Sequence, residues 1–117
     1  MSLTKRLIQK AEDLDWSVSV EGNYWEFEKY SPAGEDFVFG LNGEDTIEEL
    51  QAYYDTFDPE EHITDLLIAK RNGFAGVPDV KTLCDDADAI DNMIYELLQA
   101  FIDVEEKYLD EKKESAA

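Results

Sequence analysis

One histidine and one cysteine occur in this 117-residue chain, so few side chains could act as a nucleophile or a general base. His62 follows Glu60 and Glu61, and it is most simply interpreted as a surface residue beside carboxylates. Cys84 has apolar neighbours, which favours a small buried side chain over a reactive thiol. The sequence has no Gly-x-Ser-x-Gly, no phosphate-binding glycine loop and no His-Glu-x-x-His motif. We therefore predict a protein that is not an enzyme and binds no cofactor.

Acidic side chains could instead bind a cation, and residues 85–91 (Asp-Asp-Ala-Asp-Ala-Ile-Asp) are the segment to consider. An EF-hand loop beginning at Asp86 would place Asp91 where the sharp turn requires glycine and Leu97 where the bidentate glutamate belongs. The pattern therefore does not predict a calcium site. We favour the interpretation that these acids lie at the start of a long helix and interact with its free amides and dipole, with a cation site as the alternative.

The distribution of charge is the most informative feature of the sequence. The chain has 29 acidic and 10 basic residues, with a formal net charge of −19. Residues 11–69 contain seventeen Asp or Glu but only one basic residue, Lys29, so this segment carries sixteen of the nineteen net negative charges. DNA, with one negative charge per ~1.7 Å of axis, would be repelled. We therefore expect no direct binding to nucleic acid.

The composition is that of a folded domain. An apolar fraction of 44% and an aromatic fraction of 12% are too high for a disordered acidic tail. We predict one domain over residues 1–112 and a frayed polar tail over residues 113–117. A single cysteine indicates a reducing compartment, and the sequence has no signal-peptide pattern or membrane span. These features predict a cytoplasmic protein with no membrane partner.

Hydrophobic periodicity predicts the elements that must position the charges. Helical spacing is found over residues 3–14, and alternation on both sides of Gly22-Asn23 predicts a hairpin over residues 16–30. A third strand is predicted over residues 37–41. The sequence thus predicts a three-stranded antiparallel sheet with one apolar face to be covered.

Three further helices are predicted after the sheet. The first runs from Ile47 to about Thr56, and Thr46 and Glu49 have the spacing of a capping box. The second has Asp58 as its N-cap and ends at Asn72-Gly73. The third follows a short turn at residues 79–84 and has an apolar pattern from residue 87 to residue 108. The predicted fold is α+β in the order αβββααα, with the sheet packed against the long C-terminal helix and flanked by shorter helices.

Acidic residues on the two short helices form the candidate binding surface. The apolar stripes fix which side of each helix faces outward, so the carboxylates are predicted to be rigidly placed. Ordered carboxylates can imitate a phosphate array and occupy a basic groove, which suggests a basic nucleic-acid-binding protein as partner. A homodimer, which would lengthen the charged surface, is also compatible with the sequence. The candidate residues are Asp45, Glu48, Glu49, Tyr53, Asp55, Glu60, Glu61 and Asp65.

Aromatic residues give the alternative interpretation. Tyr53 and Tyr54 are adjacent on one helix, so both cannot point directly inward, and one is expected at a rim. Tyr24 and Tyr30 are expected on the face of the hairpin that points away from the core. In this alternative the protein is an interaction module that contacts its partner through aromatic residues, and the charge serves solubility.

The short chain, high acidity and α+β pattern resemble the small acidic inhibitors that phages and mobile elements carry against host defence, the anti-restriction and anti-CRISPR proteins that look like DNA. Residues 30–37 and 72–78 also look like segments of small uncharacterised proteins from bacterial mobile elements, although their glycines and prolines would equally suit turns. The resemblance implies a non-enzymatic inhibitor that blocks a basic nucleic-acid-handling protein.

Overall fold

The computed structural model describes residues 2–73 and 79–116. It confirms the predicted α+β class and the order αβββααα, with one short 3-10 turn at Gly43–Asp45. The molecule measures 61 × 26 × 22 Å. The elements are α1 (Leu3–Asp13), β1 (Ser17–Glu21), β2 (Tyr24–Tyr30), β3 (Asp36–Asn42), α2 (Thr46–Thr56), α3 (Pro59–Arg71) and α4 (Val80–Ala116).

The three strands form an antiparallel meander with β2 at the centre. Phe27 on β2 lies opposite Val18 on β1 and Phe39 on β3, which fixes one apolar face of the sheet. The β1–β2 turn uses Gly22, whose φ of 61° is readily adopted by glycine. The alternation seen in the sequence therefore sets the strand register.

The core lies between the inner face of the sheet and the helices. Helix α4 shares the core with this face, and Phe101 of α4 lies 6.1 Å from Phe27. Helix α1 packs against α4 and β1, α2 packs against α4 and β3, and α3 packs against α4. Trp16, between α1 and β1, contacts the edges of Phe27 and Phe39 at ring-centroid distances of 6.4 and 5.5 Å. The main buried residues are Leu7, Ala11, Trp16, Trp25, Phe27, Phe37, Phe39, Leu41, Leu50, Ile90, Ile94, Leu97, Leu98 and Phe101.

Helix α2 begins differently from the prediction. Thr46 already has helical backbone angles, and its hydroxyl donates to the carbonyl of Gly43 at 3.1 Å, so the predicted capping box with Glu49 does not form. The 3-10 turn brings the chain into the helix, and Asn42 caps that turn by accepting from the amide of Glu44 at 3.0 Å. Helix α3 is capped by Asp58 and ends before Asn72, as predicted.

Helix α4 is longer than the sequence prediction at both ends. It begins at Val80 rather than after a turn at residues 79–84, and it continues to Ala116, so residues 113–116 of the predicted frayed tail are helical. Lys113 lies in the last turn, where a positive charge interacts favourably with the helix dipole. The segment 74–78, which includes most of the predicted turn at residues 72–78, lies outside the described residues.

Asp79 is expected to stabilise the start of α4 in a pH-dependent way. Its Oδ1 accepts from the amide of Thr82 at 2.8 Å, and hydrogen bonding by Thr82 lowers the pKa of Asp79 below its usual value. A depressed folded-state pKa contributes stability that is present above the unfolded pKa and is lost as the pH falls through the folded pKa. We therefore expect Asp79→Ala to lower the melting temperature at about pH 7, and the difference from the unmodified protein to narrow at about pH 2.

The measurement is thermal unfolding followed by circular dichroism at both pH values. Asp79→Asn is the control because it keeps an oxygen acceptor for the Thr82 amide, and it should lose less stability than Asp79→Ala at neutral pH. If the loss of melting temperature in Asp79→Ala did not change with pH, the pH-dependent stabilisation of α4 by the Asp79 carboxylate would be contradicted.

Candidate functional site

The predicted acidic residues of α2 all lie at the surface. Glu48 and Glu49 are exposed in the first turn of the helix, where the positive end of the dipole favours negative charge. Asp45, also exposed, immediately precedes them. Asp45 and Glu48 line a hollow of about 300 Å³ together with Glu105 of α4, above an apolar floor that includes Trp25. This hollow therefore gathers carboxylates from the 3-10 turn, α2 and α4.

The predicted acidic residues of α3 are exposed as well. The amide of Glu60 donates to the capping residue Asp58, while Glu61 and Asp65 lie one helical turn apart. Glu61 and Asp65 line a second hollow of about 250 Å³, together with Asp58 and the edge of Tyr53. The other side of α3 carries half-buried apolar residues that face the rest of the domain, namely Ile63, Leu66 and Leu67.

The remaining two acids of α2 lie apart from these hollows. Asp55 is exposed near the end of the helix and accepts from the Nε2 amide of Gln51 at 2.9 Å. Glu49 lines a third hollow with Glu21 and Tyr24 of the sheet. The structure therefore places all seven predicted acids at the surface but distributes them over several sites.

Neither Tyr53 nor Tyr54 is fully exposed. The Tyr53 ring stacks on Phe39 with a centroid distance of 4.5 Å, and burial raises the pKa of its hydroxyl. The Tyr54 hydroxyl donates to Asp91 at 3.4 Å, and its ring lies 5.5 Å from that of Tyr95. Tyr53 lies at the rim of the core. A Tyr53→Ala variant would remove its contact with Phe39 and lower stability as well as any binding, so it does not test binding alone.

His62 is half-buried and differs from the predicted surface residue beside Glu60 and Glu61. Its Nε2 lies 3.0 Å from an Oε2 oxygen of Glu35, in the β2–β3 loop. Its ring lies within 6.3 Å of Phe37 and 5.8 Å of Phe57. The contact joins α3 to the β2–β3 loop. The sequence does not predict this contact because Glu35 is 27 residues from His62 and no local pattern connects the two residues.

The acids of residues 85–91 do not act as the sequence interpretation proposed. They lie inside α4, beyond its first turn, and the start of the helix is capped by Asp79 instead. Asp86 is 5% exposed and accepts from the hydroxyl of Ser31 at 2.7 Å and from the amide of Ala33 at 2.9 Å. These bonds hold the β2–β3 loop against α4.

Over residues 2–73 and 79–116, no group of three or more His, Cys, Asp or Glu side chains is arranged to hold a metal ion. Within the same residues, no helix is both long enough and apolar enough to span a membrane.

Comparison of the chain with protein-family models, curated protein sequences and solved structures gave no match. Function is therefore inferred from the geometry and charge of the described residues.

Proposed function

We propose that this chain is a non-enzymatic, acidic inhibitor that occupies the nucleic-acid site of a basic partner in the cytoplasm, as an anti-restriction or anti-CRISPR protein of a phage or mobile element would do. One observation carries the proposal: seven carboxylates on or next to two consecutive helices are all exposed, while the apolar residues of α2 pack against the core and Ile63, Leu66 and Leu67 of α3 are half-buried. Because each of these helices packs against the rest of the domain on one side, the carboxylates on its other side are held in a defined arrangement.

The segment that holds these carboxylates carries no positively charged lysine or arginine. The sequence has no lysine or arginine between Lys29 and Lys70. Among the described residues, Arg6 pairs with Glu111 and His62 contacts Glu35, and neither contact involves the seven candidate acids. Their charge is therefore available to an approaching cationic surface.

The charge density supports comparison with DNA. Nineteen net charges along a molecule 61 Å long give about one charge per 3 Å. DNA has one per ~1.7 Å, so the protein has roughly half that density along its length. A groove that binds DNA through lysine and arginine would attract this protein, and the association should be fast and sensitive to salt.

Charge reversal on α2 and α3 is the test. Four substitutions, Glu48→Lys, Glu49→Lys, Glu60→Lys and Glu61→Lys, should weaken binding at least about 100-fold, because close ion pairs across an interface are coupled by ~1.5 kcal/mol or more each. The binding assay begins with capture of partners from a bacterial lysate at low salt, followed by elution with a salt gradient and with duplex DNA. Affinity is then measured with the purified partner.

A matched control reverses four exposed acids of α4, with the substitutions Glu96→Lys, Asp103→Lys, Glu106→Lys and Asp110→Lys. The net charge changes equally, so the control should weaken binding by less than about tenfold if position matters. Circular dichroism must show that both variants fold. Equal weakening by the two variants, or a captured partner that DNA does not displace, would refute the proposal.

A further inference from the structure

The outer face of the sheet is not covered by a helix in the described part of the chain. The side chains that project from this face are exposed, apart from Glu28 and Gly40, which are half-buried. They comprise Ser17, Ser19 and Glu21 on β1, Tyr24, Glu26, Glu28 and Tyr30 on β2, and Asp36, Val38, Gly40 and Asn42 on β3.

The central strand carries a regular row of side chains on this face. Tyr24, Glu26, Glu28 and Tyr30 occupy alternate positions of β2, so successive members are about 6.8 Å apart and the two tyrosines about 20 Å apart. Tyr24 is 54% exposed and Tyr30 is 65% exposed. Two aromatic rings therefore flank two carboxylates on an open surface.

Tyr24 is held by contact with the sheet, and Tyr30 is anchored through the backbone of its neighbour Ser31. The Tyr24 side chain lies directly over Gly40, in space that a Cβ on residue 40 would occupy. Tyr30 adjoins Ser31, whose amide donates to the Glu35 carbonyl at 2.8 Å and whose hydroxyl donates to the buried Asp86. A side chain that is already ordered, as Tyr24 is, loses less conformational freedom when a partner binds.

The charge of this face selects the chemistry of the partner. Four acids project from it, namely Glu21, Glu26, Glu28 and Asp36. Lys29 points to the other side of the sheet, where its Nζ donates to the Leu14 carbonyl at 2.8 Å and lies 5.7 Å from the centre of the Trp16 ring. A cationic partner is therefore complementary to the outer face.

Arginine fits this arrangement better than lysine does. A guanidinium group is planar, so it stacks on a tyrosine ring and forms two parallel hydrogen bonds to a carboxylate. Lysine offers a compact point charge without either geometry. An extended segment with arginine at every second position would present these groups about 6.8 Å apart, the spacing of the row on β2.

We propose that the outer face of the sheet is a docking surface for an extended, arginine-bearing segment of a protein partner, which lies along β2 between Tyr24 and Tyr30. Among the candidate carboxylates of α2 and α3, Glu49 borders this surface, since it lines a hollow with Glu21 and Tyr24. The proposal does not depend on the function of the other six. In this proposal the exposed Tyr24 and Tyr30 contact the partner, whereas Tyr53 and Tyr54 are half-buried and offer less ring surface.

The test uses a synthetic peptide in which serine and arginine alternate over nine residues, and a second peptide with lysine in place of arginine. Binding is measured by calorimetry and by amide chemical shifts. The arginine peptide should bind at least about fivefold more tightly than the lysine peptide, because guanidinium groups stack on aromatic rings and pair with carboxylates in a bidentate manner. The largest shifts should fall on β2 and β3.

Variants of the row should weaken binding of the arginine peptide. The double substitution Tyr24→Ala and Tyr30→Ala is expected to reduce affinity at least about tenfold. Gly40→Ala should reproduce the loss at Tyr24 in a folded protein, because the new methyl group would occupy the space of the Tyr24 ring and push this half-exposed side chain outward. Tyr95→Ala, at an exposed tyrosine of α4, and the pair Glu60→Gln with Glu61→Gln should change affinity by less than about twofold.

Several results would overturn the proposal. Equal affinity for the two peptides would show that charge alone is recognised. Shifts confined to α2 and α3, or equal losses in the control variants, would place the peptide elsewhere. A dimer in sedimentation experiments that Tyr30→Ala dissociates would identify a second copy of this chain as the occupant of the face.

Discussion

Replacing Asp86 by alanine is expected to lower the free energy of unfolding by about 3 kcal/mol. The carboxylate is buried in α4 and accepts from the Ser31 hydroxyl at 2.7 Å and the Ala33 amide at 2.9 Å. A hydrogen bond to a charged group contributes about 1.5–3 kcal/mol, and removing the acceptor leaves both donors without a partner. Because Ser31 and Ala33 shape the β2–β3 loop, this loop should also become mobile.

Two controls separate this role from a general effect of substitution in α4. Asp86→Asn keeps one oxygen acceptor and should lose about half as much stability. Asp88→Ala, at an exposed position on the same helix, should change stability by less than about 0.5 kcal/mol. Urea unfolding followed by tryptophan fluorescence gives all three values, provided that the slopes agree. Equal losses at residues 86 and 88 would show that the buried carboxylate does not hold the loop.

Phe27→Ala should be still more destabilising, by about 4 kcal/mol. Phe27 is fully buried on the central strand. Its ring stacks on Phe39 with centroids 5.1 Å apart and lies 6.1 Å from Phe101, 6.4 Å from Trp16 and 6.2 Å from Trp25. Truncation removes these contacts and leaves a cavity, because the neighbouring aromatic rings are rigid and cannot move far enough to fill it.

Because a domain of this size has a total stability of about 5–15 kcal/mol, Phe27→Ala could leave too little folded protein to measure. Phe27→Leu is the informative companion and should lose about 1.5 kcal/mol. Val38→Ala, on the outer face of the same sheet, should lose less than about 1 kcal/mol because Val38 is already 43% exposed. A loss at Val38 as large as that for Phe27→Leu would contradict the assignment of the two faces.

Much of the fold could be predicted because the relevant signals are local. Alternation in residues 24–30 placed Trp25 and Phe27 inward, and the Asp58-Pro59 pair marked the start of α3. The early start of α4 also had a local signal, since Val80, Leu83 and Ala87 continue the helical spacing of the later apolar residues. The acids of residues 85–88 interrupt that pattern in the sequence and conceal it.

Contacts between distant residues could not be predicted in this way. Asp86 and Ser31 are 55 residues apart, and nothing in either segment specifies the other. The same reason applies to the candidate surface: the apolar stripes of α2 and α3 predicted which carboxylates face outward, but not that Glu105 of α4 would share a hollow with Asp45 and Glu48. Grouping of this kind depends on how the helices pack.

The length of α4 also determines how the molecule tumbles. Its 37 residues extend about 55 Å, close to the full 61 Å of the long axis, so the helix and that axis are nearly parallel. The radius of gyration is 16.6 Å, compared with about 13 Å for a compact chain of this size. Rotation about the long axis is therefore faster than end-over-end rotation. The amide bonds of α4, which point along the axis, reorient mainly through the slower motion.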